Sequence, residues 1–173
     1  MRRRVRIVAA AFAIAVMTLG AVWHLFPFPI ELLETRGYSA HVTDRTGAVM
    51  LERVGADDHW HRPVSLERGD PRVSQATIAV EDARFRSHCG VDLLAICRAA
   101  FQNVTSGEVV SGASTISTQV CRMVDPRPRT MQTKVLEAYR ALRLEQLLDK
   151  DDILTHYLNR APYGGNVRGI AAA

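Results

Sequence analysis

The stretch Glu81-Asp-Ala-Arg-Phe-Arg-Ser-His-Cys-Gly90 joins two predicted helices and places two adjacent carboxylates where the first helix ends. A carboxylate at the C-terminus of a helix faces the negative end of the helix dipole. If Glu81 is also partly buried, we expect its pKa to rise toward the range that suits a general base. The alternative is that Glu81 and Asp82 are structural acids paired with neighbouring cations.

Helix start signals flank this stretch. Asp70-Pro71 is an N-cap and first-turn pair that predicts a helix over 73–83. Asp92 predicts the start of a helix over 93–104. Further along, a helix that runs to 123 is predicted to open at Ser114 or Thr115.

Two longer helices are predicted over 130–148 and 149–160. The first follows from apolar residues at helical spacing, which are Val135, Leu136, Tyr139, Leu142 and Leu147. Nearer the amino terminus, two short extended runs flank the turn-like Asp44-Arg-Thr-Gly47, which predicts a β-hairpin. The predicted class is therefore mainly α-helical with a small β appendage.

A second carboxylate, Glu137, lies in the middle of a predicted helix, with Lys134 three residues before it and Arg140 three residues after it. One interpretation is a ladder of ion pairs along the helix surface, worth about a few tenths of a kcal/mol. The other interpretation is a carboxylate held among cations that also face an anionic substrate.

The segment Gly112-Ala-Ser-Thr-Ile-Ser-Thr-Gln119 is rich in small hydroxyl residues at a helix start. Backbone N–H groups and hydroxyls in such a place bind phosphate, although helix capping explains the same residues equally well. The cations that follow closely are Arg122, Arg129 and Lys134. They favour the phosphate interpretation.

The amino terminus predicts a membrane anchor. Four arginines precede an apolar run over 7–26, which is about long enough to cross a bilayer as a helix. The arginines predict a cytoplasmic tail over 1–6 and an external location for the rest. A cleaved signal peptide is the main alternative, but the bulky, proline-rich sequence after the run lacks a small-residue cleavage site. We therefore predict an uncleaved anchor, a juxtamembrane linker over 27–37 and one domain over 38–173.

The composition argues against several classes of protein. The 173 residues carry 22 Lys and Arg against 18 Asp and Glu, with no long basic stripe, which argues against nucleic-acid binding. Cys89, Cys97 and Cys121 have no zinc-type spacing. We expect them to be small buried apolar residues.

Taken together, these segments resemble the peptidoglycan glycosyltransferase domain (family 51 transglycosylase) of the bifunctional penicillin-binding proteins and their monofunctional relatives. Residues 81–90 match the motif E-D-x-x-F-x-x-H-x-G at every fixed position, and residues 112–119 match G-[GA]-S-T-x-[TS]-x-Q. Lys134-Val-Leu-Glu137 fits the K-x-x-E part of R-K-x-x-E, with Thr133 in place of the arginine.

Two later motifs follow in the same order. Lys150-Asp-Asp-Ile-Leu-Thr-His-Tyr-Leu-Asn159 fits K-x-x-I-L-x-x-Y-L-N, and Arg168-Gly-Ile-Ala-Ala-Ala173 begins R-G-x-x-x-A. The segment 159–165 is closest in style to the penicillin-binding protein 1C branch of the family. The chain ends inside the last motif, which predicts a domain truncated at its C-terminus.

The resemblance implies a lysozyme-like fold of two lobes behind one transmembrane helix. It implies lipid II and the growing lipid-linked glycan as substrates, with Glu81 as the general base of an inverting transfer that releases the lipid pyrophosphate. Glu137 would organise the pyrophosphate site, with a divalent cation (Mg²⁺ or Mn²⁺) in the manner of the family. The residues implied to bind substrate are Asp82, Phe85, His88, Ser114, Thr115, Gln119, Arg122, Arg129, Lys134, Asn159 and Arg168.

The same resemblance implies a single-pass location in the cytoplasmic membrane, with the catalytic domain on the periplasmic side. Inner-membrane lipid and other cell-wall synthesis and division proteins are the implied partners. Two alternatives stay open: a lysozyme-like muramidase that uses Glu81 as a general acid, and an anchored fragment that binds lipid II or a partner without turnover. The cluster of cations and the anchor favour a lipid-linked donor over finished glycan.

Overall fold

The computed structural model of the chain describes residues 2–34, 37–66, 69–108 and 112–173. Its helices are α1 (Arg2–Leu25), α2 (Pro71–Glu81), α3 (Leu93–Ser106), α4 (Ile116–Val124), α5 (Met131–Leu147) and α6 (Lys150–Arg160). Its strands are β1 (Ala40–Thr43), β2 (Val49–Arg53), β3 (Trp60–His61) and β4 (Val167–Arg168), and short 3-10 helices cover Ile30–Leu33 and Phe85–Ser87. The mainly α-helical class, with a small β-hairpin behind one apolar N-terminal helix, is confirmed.

Side-chain caps fix the starts of the helices. The carboxylates of Asp70 and Asp92 accept hydrogen bonds from first-turn N–H groups of α2 and α3 at 2.9 and 2.8 Å, as predicted. Thr115, rather than Ser114, caps α4, and Asp149 caps α6. Each such cap contributes about 1 kcal/mol to helix stability, so these starts are set by local chemistry.

Helix α2 ends at Glu81, two residues before the predicted Ala83. Asp82 leaves the helix with φ −160° and ψ 75°, because its side chain turns inward and accepts a hydrogen bond from Ile116 N at 3.0 Å. The early end makes Glu81 the last helical residue, with its side chain exposed.

The predicted hairpin forms from β1 and β2, which pair antiparallel with Ala40 opposite Arg53. The carboxylate of Asp44 closes the turn by accepting hydrogen bonds from Thr46 N at 2.7 Å and Ala48 N at 3.0 Å. A second sheet was not predicted. In it the two-residue strand β3 pairs in parallel with β4, which comes from the far end of the chain.

The core is centred on α4, which packs against both α5 and α6. Ile116 and Val120 of α4 and Leu144 of α5 are fully buried, as are Ile153 and Leu154 of α6. Each fully buried side chain of this size contributes roughly 1.5–3 kcal/mol relative to an exposed one. The packing therefore holds the three helices that carry most of the candidate site residues.

Helix α1 has the length and composition of a membrane span over Arg4–Leu25, with a mean hydropathy of 2.2. Among the side chains of the span that the structure describes, none is fully buried and only Trp23 is half-buried. The helix of a soluble core would bury at least one face, so the exposure of α1 argues against that kind of helix.

Part of the segment that was predicted to be a juxtamembrane linker packs into the domain. Phe28 and Leu33 are 4% and 8% exposed and belong to the main core cluster. The guanidinium of Arg160 also donates a hydrogen bond to the backbone carbonyl of Leu33. These residues are apolar enough to be buried, so they join the anchor to the domain closely; Thr35 and Arg36 lie outside the described residues.

The cysteines differ in exposure, which corrects the expectation that all three are buried. Cys121 on α4 is 1% exposed, and burial raises the pKa of its thiol to about 12. Cys89 and Cys97 are exposed, one in the loop after His88 and the other on α3, so the expectation was wrong for both.

Thiol labelling should separate the three cysteines. At about pH 8, a maleimide should modify Cys89 and Cys97 in the folded chain and spare Cys121, because a buried thiol with a raised pKa forms little thiolate. Mass spectrometry should find two labels in the folded chain and three after unfolding in urea. Rapid labelling of Cys121 in the folded chain would contradict the packing of α4.

Replacement of Gly90 by alanine should destabilise the fold. Gly90 has φ +95°, and a Cβ atom there would lie 2.6 Å from the backbone oxygen of Ala141 on α5. The left-handed backbone costs about 1 kcal/mol for a non-glycine residue, and the clash with backbone adds at least as much again.

Gly47→Ala is the matched control, because Gly47 has φ +88° but open space around the new Cβ atom. The midpoint of urea unfolding should fall further for Gly90→Ala than for Gly47→Ala. Equal shifts would show that α5 does not approach the loop at Gly90 as closely as described.

Candidate active site

Glu81 is an exposed carboxylate at the end of α2. Its Oε2 accepts a hydrogen bond from Gln119 Nε2 at 2.9 Å, which links the end of α2 to α4. The predicted position at a helix C-terminus is confirmed, whereas the partial burial on which the pKa expectation depended is absent. Glu81 is therefore open to solvent and has a neutral amide as its partner.

Two tyrosines that the sequence analysis did not single out lie near Glu81. Burial raises the pKa of Tyr157 to about 12, and the negative charge of Glu81 adds to the rise. Burial also raises the pKa of Tyr163, again with a contribution from Glu81. Both phenols therefore stay protonated at neutral pH. Tyr157 occupies the fixed tyrosine of its sequence motif, which is the signal that could have identified it.

Asp82 and His88 are bonded to each other inside the fold. His88 Nε2 lies 2.9 Å from Asp82 Oδ2, and the two side chains are 7% and 4% exposed. Because His88 Nδ1 accepts a hydrogen bond from Gly90 N at 3.1 Å, the ring proton is assigned to Nε2 and is donated to Asp82. This buried pair therefore fixes the end of α2, where Glu81 lies, and the start of α4.

Three other residues that the resemblance implied for substrate binding are also buried. Phe85 is 0% exposed. The hydroxyl of Thr115 donates a hydrogen bond to the backbone oxygen of Gly90 at 2.6 Å. The amide of Asn159 bonds both the N–H and the carbonyl of Val64, each at 2.8 Å. The polar groups of Thr115 and Asn159 are bonded to the backbone, and Phe85 is apolar. These residues therefore stabilise the site and offer no free polar group to a ligand.

A cavity of about 260 Å³, which we call the Glu81 cavity, lies between α2, α3 and the segment before α4. Its polar lining includes Glu81, Arg98 and Ser114. Arg84 also lines it but is paired with Asp92. Within the described part of the chain, Arg98 has no acidic partner, so it adds a positive charge that the sequence analysis did not anticipate.

A second cavity, of about 140 Å³, lies next to the first. We call it the cation cavity, and its lining residues are Ser114, Arg122, Arg129, Thr130, Thr133, Lys134 and Glu137. The three cations against one carboxylate leave a net charge of +2. Ser114 is exposed and lines both cavities, so Glu81 and the cations lie on either side of one serine.

Glu137 pairs with a cation of another helix rather than with its own neighbours in sequence. Arg122 of α4 holds the Glu137 carboxylate in a two-point contact at 2.9 and 2.7 Å. The hydrogen bond to Glu137 raises the pKa of Arg122. Arg140 instead pairs with Asp125 at 2.5 Å, so the interpretation of a surface ion-pair ladder on α5 is wrong.

The two remaining cations of the cation cavity form no ion pair with a described carboxylate. Arg129 and Lys134 are exposed, and no described carboxylate lies within ion-pair distance of either. Thr133, which stands where the family motif has an arginine, lines the same cavity as Arg129. Arg129 therefore brings a positive charge to the cavity in which this chain has Thr133 instead of the arginine of the motif.

The surroundings of Glu137 do not fit a divalent cation. Both of its carboxylate oxygens accept hydrogen bonds from Arg122. The described residues also contain no group of three His, Cys, Asp or Glu side chains that could hold a metal ion. The cations that line the cation cavity in the described part of the chain are Arg122, Arg129 and Lys134.

Arg168 lies apart from both cavities. It is on β4, and its guanidinium is 3.0 Å from Asp57. It lines a different cavity of about 410 Å³, which shares only Arg122 with the cation cavity. The structure therefore does not bring Arg168 together with Glu81, Ser114 or Lys134.

Comparison with known proteins agrees with the motifs that make up the site. A family model described as Transglycosylase matches residues 47–173. The chain is 40% identical over 169 residues, 98% of its length, to penicillin-binding protein 1C of Escherichia coli (strain K12). It is 34% identical over 170 residues to penicillin-binding protein 1A of Aquifex aeolicus (strain VF5), and 45% identical over 112 residues to penicillin-binding protein 1A of Escherichia coli.

These relatives are much longer than the chain. In two of the matches, the aligned region includes 96% or more of this chain but only 21% and 23% of the relatives' lengths. The similarity therefore concerns one part of each relative, the part that carries Glu81 and the cation cavity in this chain. The chain belongs to the transglycosylase family.

Proposed function

We propose that this chain carries the glycosyltransferase activity that polymerises lipid II into β-1,4-linked glycan strands and releases the lipid pyrophosphate. The observation that supports it best is the pairing of two cavities across Ser114. One contains an exposed carboxylate, and the other contains a net positive charge. Transfer of a sugar from a lipid pyrophosphate needs both: a base for the attacking hydroxyl and positive charge for the departing group.

Glu81 is the general base of this proposal. It accepts the proton of the acceptor sugar's 4-hydroxyl while that oxygen forms a bond to C1 of the donor sugar. The bond between C1 and the pyrophosphate oxygen breaks at the opposite face, and its electron pair leaves with the pyrophosphate. The α-linked donor therefore becomes a β-linked product.

Gln119 supports this role because its side chain is uncharged. A cation beside Glu81 would hold the carboxylate in its ionised form and reduce its tendency to accept a proton. The partner instead is an uncharged amide, whose Nε2 donates to Oε2 at 2.9 Å. The amide fixes the direction of the carboxylate and leaves lone pairs of Glu81 for a substrate hydroxyl.

The cation cavity receives the pyrophosphate. Arg129 and Lys134 carry positive charges that no described acid neutralises, and Ser114 adds a hydroxyl at the border with the Glu81 cavity. Glu137 fixes Arg122 in a two-point contact, so this cation is oriented before any substrate arrives. Preorganised charge of this kind stabilises a leaving group more than charge that must first reorient.

Helix α1 supports a substrate that is itself embedded in a membrane. A span of 22 residues over Arg4–Leu25 is enough to cross the hydrocarbon core. The arginines at its start favour a cytoplasmic amino terminus, which supports a location of the domain on the outer face of the cytoplasmic membrane. On that face the domain meets lipid II and the growing glycan.

Glu81→Gln should abolish polymerisation while leaving the fold intact. Glutamine keeps the size and the hydrogen bond to Gln119 but does not accept a proton at neutral pH. The rate of glycan formation from lipid II by the full chain in vesicles should fall at least about a hundredfold. Glu108→Gln, at an exposed carboxylate outside both cavities, should retain full activity.

Glu137→Gln provides the contrast, because it loosens Arg122 without removing the base. Its loss of rate should be smaller than that of Glu81→Gln. If Glu137→Gln is inactive and Glu81→Gln nearly normal, the roles of the two carboxylates are reversed. Cleavage of finished glycan without polymerisation would instead identify a muramidase.

Lys134→Ala should weaken binding of a lipid pyrophosphate by roughly 10- to 100-fold, the usual cost of losing one hydrogen bond to a charged group. Arg127→Ala is the matched control, because Arg127 pairs with Asp125 and does not line the cation cavity. Binding of undecaprenyl pyrophosphate in vesicles and thermal unfolding should be measured for both variants. Unchanged binding in Lys134→Ala with normal stability would mean that Lys134 is only a solvated surface cation.

A further inference from the structure

The C-terminal end of α1 is docked on α5 through three kinds of contact. The rings of Trp23 and Tyr139 meet edge to face, with centroids 5.7 Å apart. The guanidinium carbon of Arg143 lies 4.5 Å from the centroid of the Trp23 ring. The hydroxyl of Tyr139 donates to the backbone oxygen of Phe26 at 2.7 Å. We call this set of contacts the anchor clamp.

The burial pattern of α1 agrees with a specific contact. Among the α1 side chains that the structure describes, Trp23 alone is half-buried and the others are exposed. The guanidinium of Arg143 also donates to Gln146 at 3.0 Å, and its Nε is buried. A guanidinium that gives up part of its hydration is attracted more strongly to an aromatic ring, here that of Trp23.

The anchor clamp and the cation cavity lie on opposite faces of α5. A helix turns about 100° per residue, so Lys134 and Arg143, nine positions apart, point roughly 180° from each other. Glu137 and Tyr139 are separated by about 200° by the same measure. One face of α5 therefore meets the anchor, and the other lines the cavity that contains Lys134 and Glu137.

The chain is held again directly after the clamp. Phe28 is 4% exposed and belongs to the main core cluster, only two residues beyond Phe26. An anchor joined by a flexible spacer would let the domain tilt and rise from the membrane. Here, contacts at Trp23 and Phe28 fix the direction of the domain relative to α1.

We propose that the anchor clamp of Trp23, Tyr139 and Arg143 holds the cation cavity at the level of the lipid headgroups, so that Tyr139 and Arg143 are positioning residues for membrane-embedded pyrophosphate. This inference rests on the proposed function. Tryptophan prefers the boundary between hydrocarbon and headgroups, so docking on Trp23 sets α5 at that boundary. The rise along the axis of α5 between Lys134 and Tyr139 is about 7.5 Å, at 1.5 Å per residue.

The experiment compares a ligand fixed in a membrane with the same head group in water. The double variant Tyr139→Leu and Arg143→Gln is prepared as the full chain in vesicles. We expect its affinity for undecaprenyl pyrophosphate in the vesicle to fall about tenfold, while its affinity for a water-soluble short-chain prenyl pyrophosphate stays unchanged. Tyr139→Phe, which keeps the ring contact, should retain most of the affinity of the unmodified chain for the embedded ligand.

Leu25→Ala is the matched control, because Leu25 is 73% exposed near the same end of α1 and is not one of the residues of the anchor clamp. It should bind both ligands normally. Equal losses for both ligands in the double variant would overturn the inference, since they would show general damage to α5. Unchanged binding of both ligands would overturn it as well.

A cross-link tests the clamp independently of ligand binding. Phe26→Cys and Val135→Cys keep Trp23, Tyr139 and Arg143 in place, because Tyr139 contacts residue 26 through its backbone oxygen and Val135 is an exposed residue one turn before Tyr139. In a chain with Cys89 and Cys97 replaced by serine, these two cysteines should be joined rapidly by a short thiol cross-linker in vesicles. Adding Tyr139→Leu and Arg143→Gln should slow the reaction at least about tenfold. If the unmodified chain binds neither pyrophosphate, the proposed function fails, and the cross-link still decides the docking. Absence of a rapid cross-link between residues 26 and 135, or an equal rate after the clamp is removed, overturns the inference.

Discussion

The buried carboxylate of Asp82 joins the parts of the molecule on which the candidate site depends. Its Oδ2 accepts hydrogen bonds from Ile116 N at 3.0 Å and from His88 Nε2 at 2.9 Å. The first bond turns Asp82 out of α2 and fixes the start of α4; the second holds the loop that follows. Because α2 ends there, Glu81 comes to lie within 2.9 Å of Gln119 on α4. A buried carboxylate without these donors would cost several kcal/mol, so the arrangement is strongly favoured.

Helix α5 contacts both the end of α1 and the cation cavity. One of its faces meets Trp23 at the end of the anchor, and the opposite face lines the cation cavity. Its packing against α4 fixes the position of Lys134 and Glu137 relative to Glu81, which is bonded to α4 through Gln119. A lipid pyrophosphate would therefore meet cations that are placed by the membrane anchor and by the core at the same time.

Local chemistry was predictable from the sequence, and contacts between distant segments were not. Caps such as Asp92 act within one helical turn, and the hairpin turn at Asp44 involves only the five residues 44–48, so both were predicted. The pairing of Trp60 with Val167 depends on the whole fold and was missed. Spacing along α5 offered Lys134 and Arg140 as partners for Glu137, whereas the fold supplies Arg122. The family motifs offered candidate site residues but did not indicate which of them are buried.

The two carboxylates of the candidate site have different partners, which supports the different roles proposed for them. Glu137 is held at two points by the guanidinium of Arg122, and its side chain is only 11% exposed. Removing this carboxylate would leave Arg122 as a partly buried cation without compensation, at a cost of a few kcal/mol. Glu81 is exposed, and its hydrogen bond comes from the uncharged amide of Gln119. One carboxylate is thus open to a substrate hydroxyl, and the other holds a cation in place.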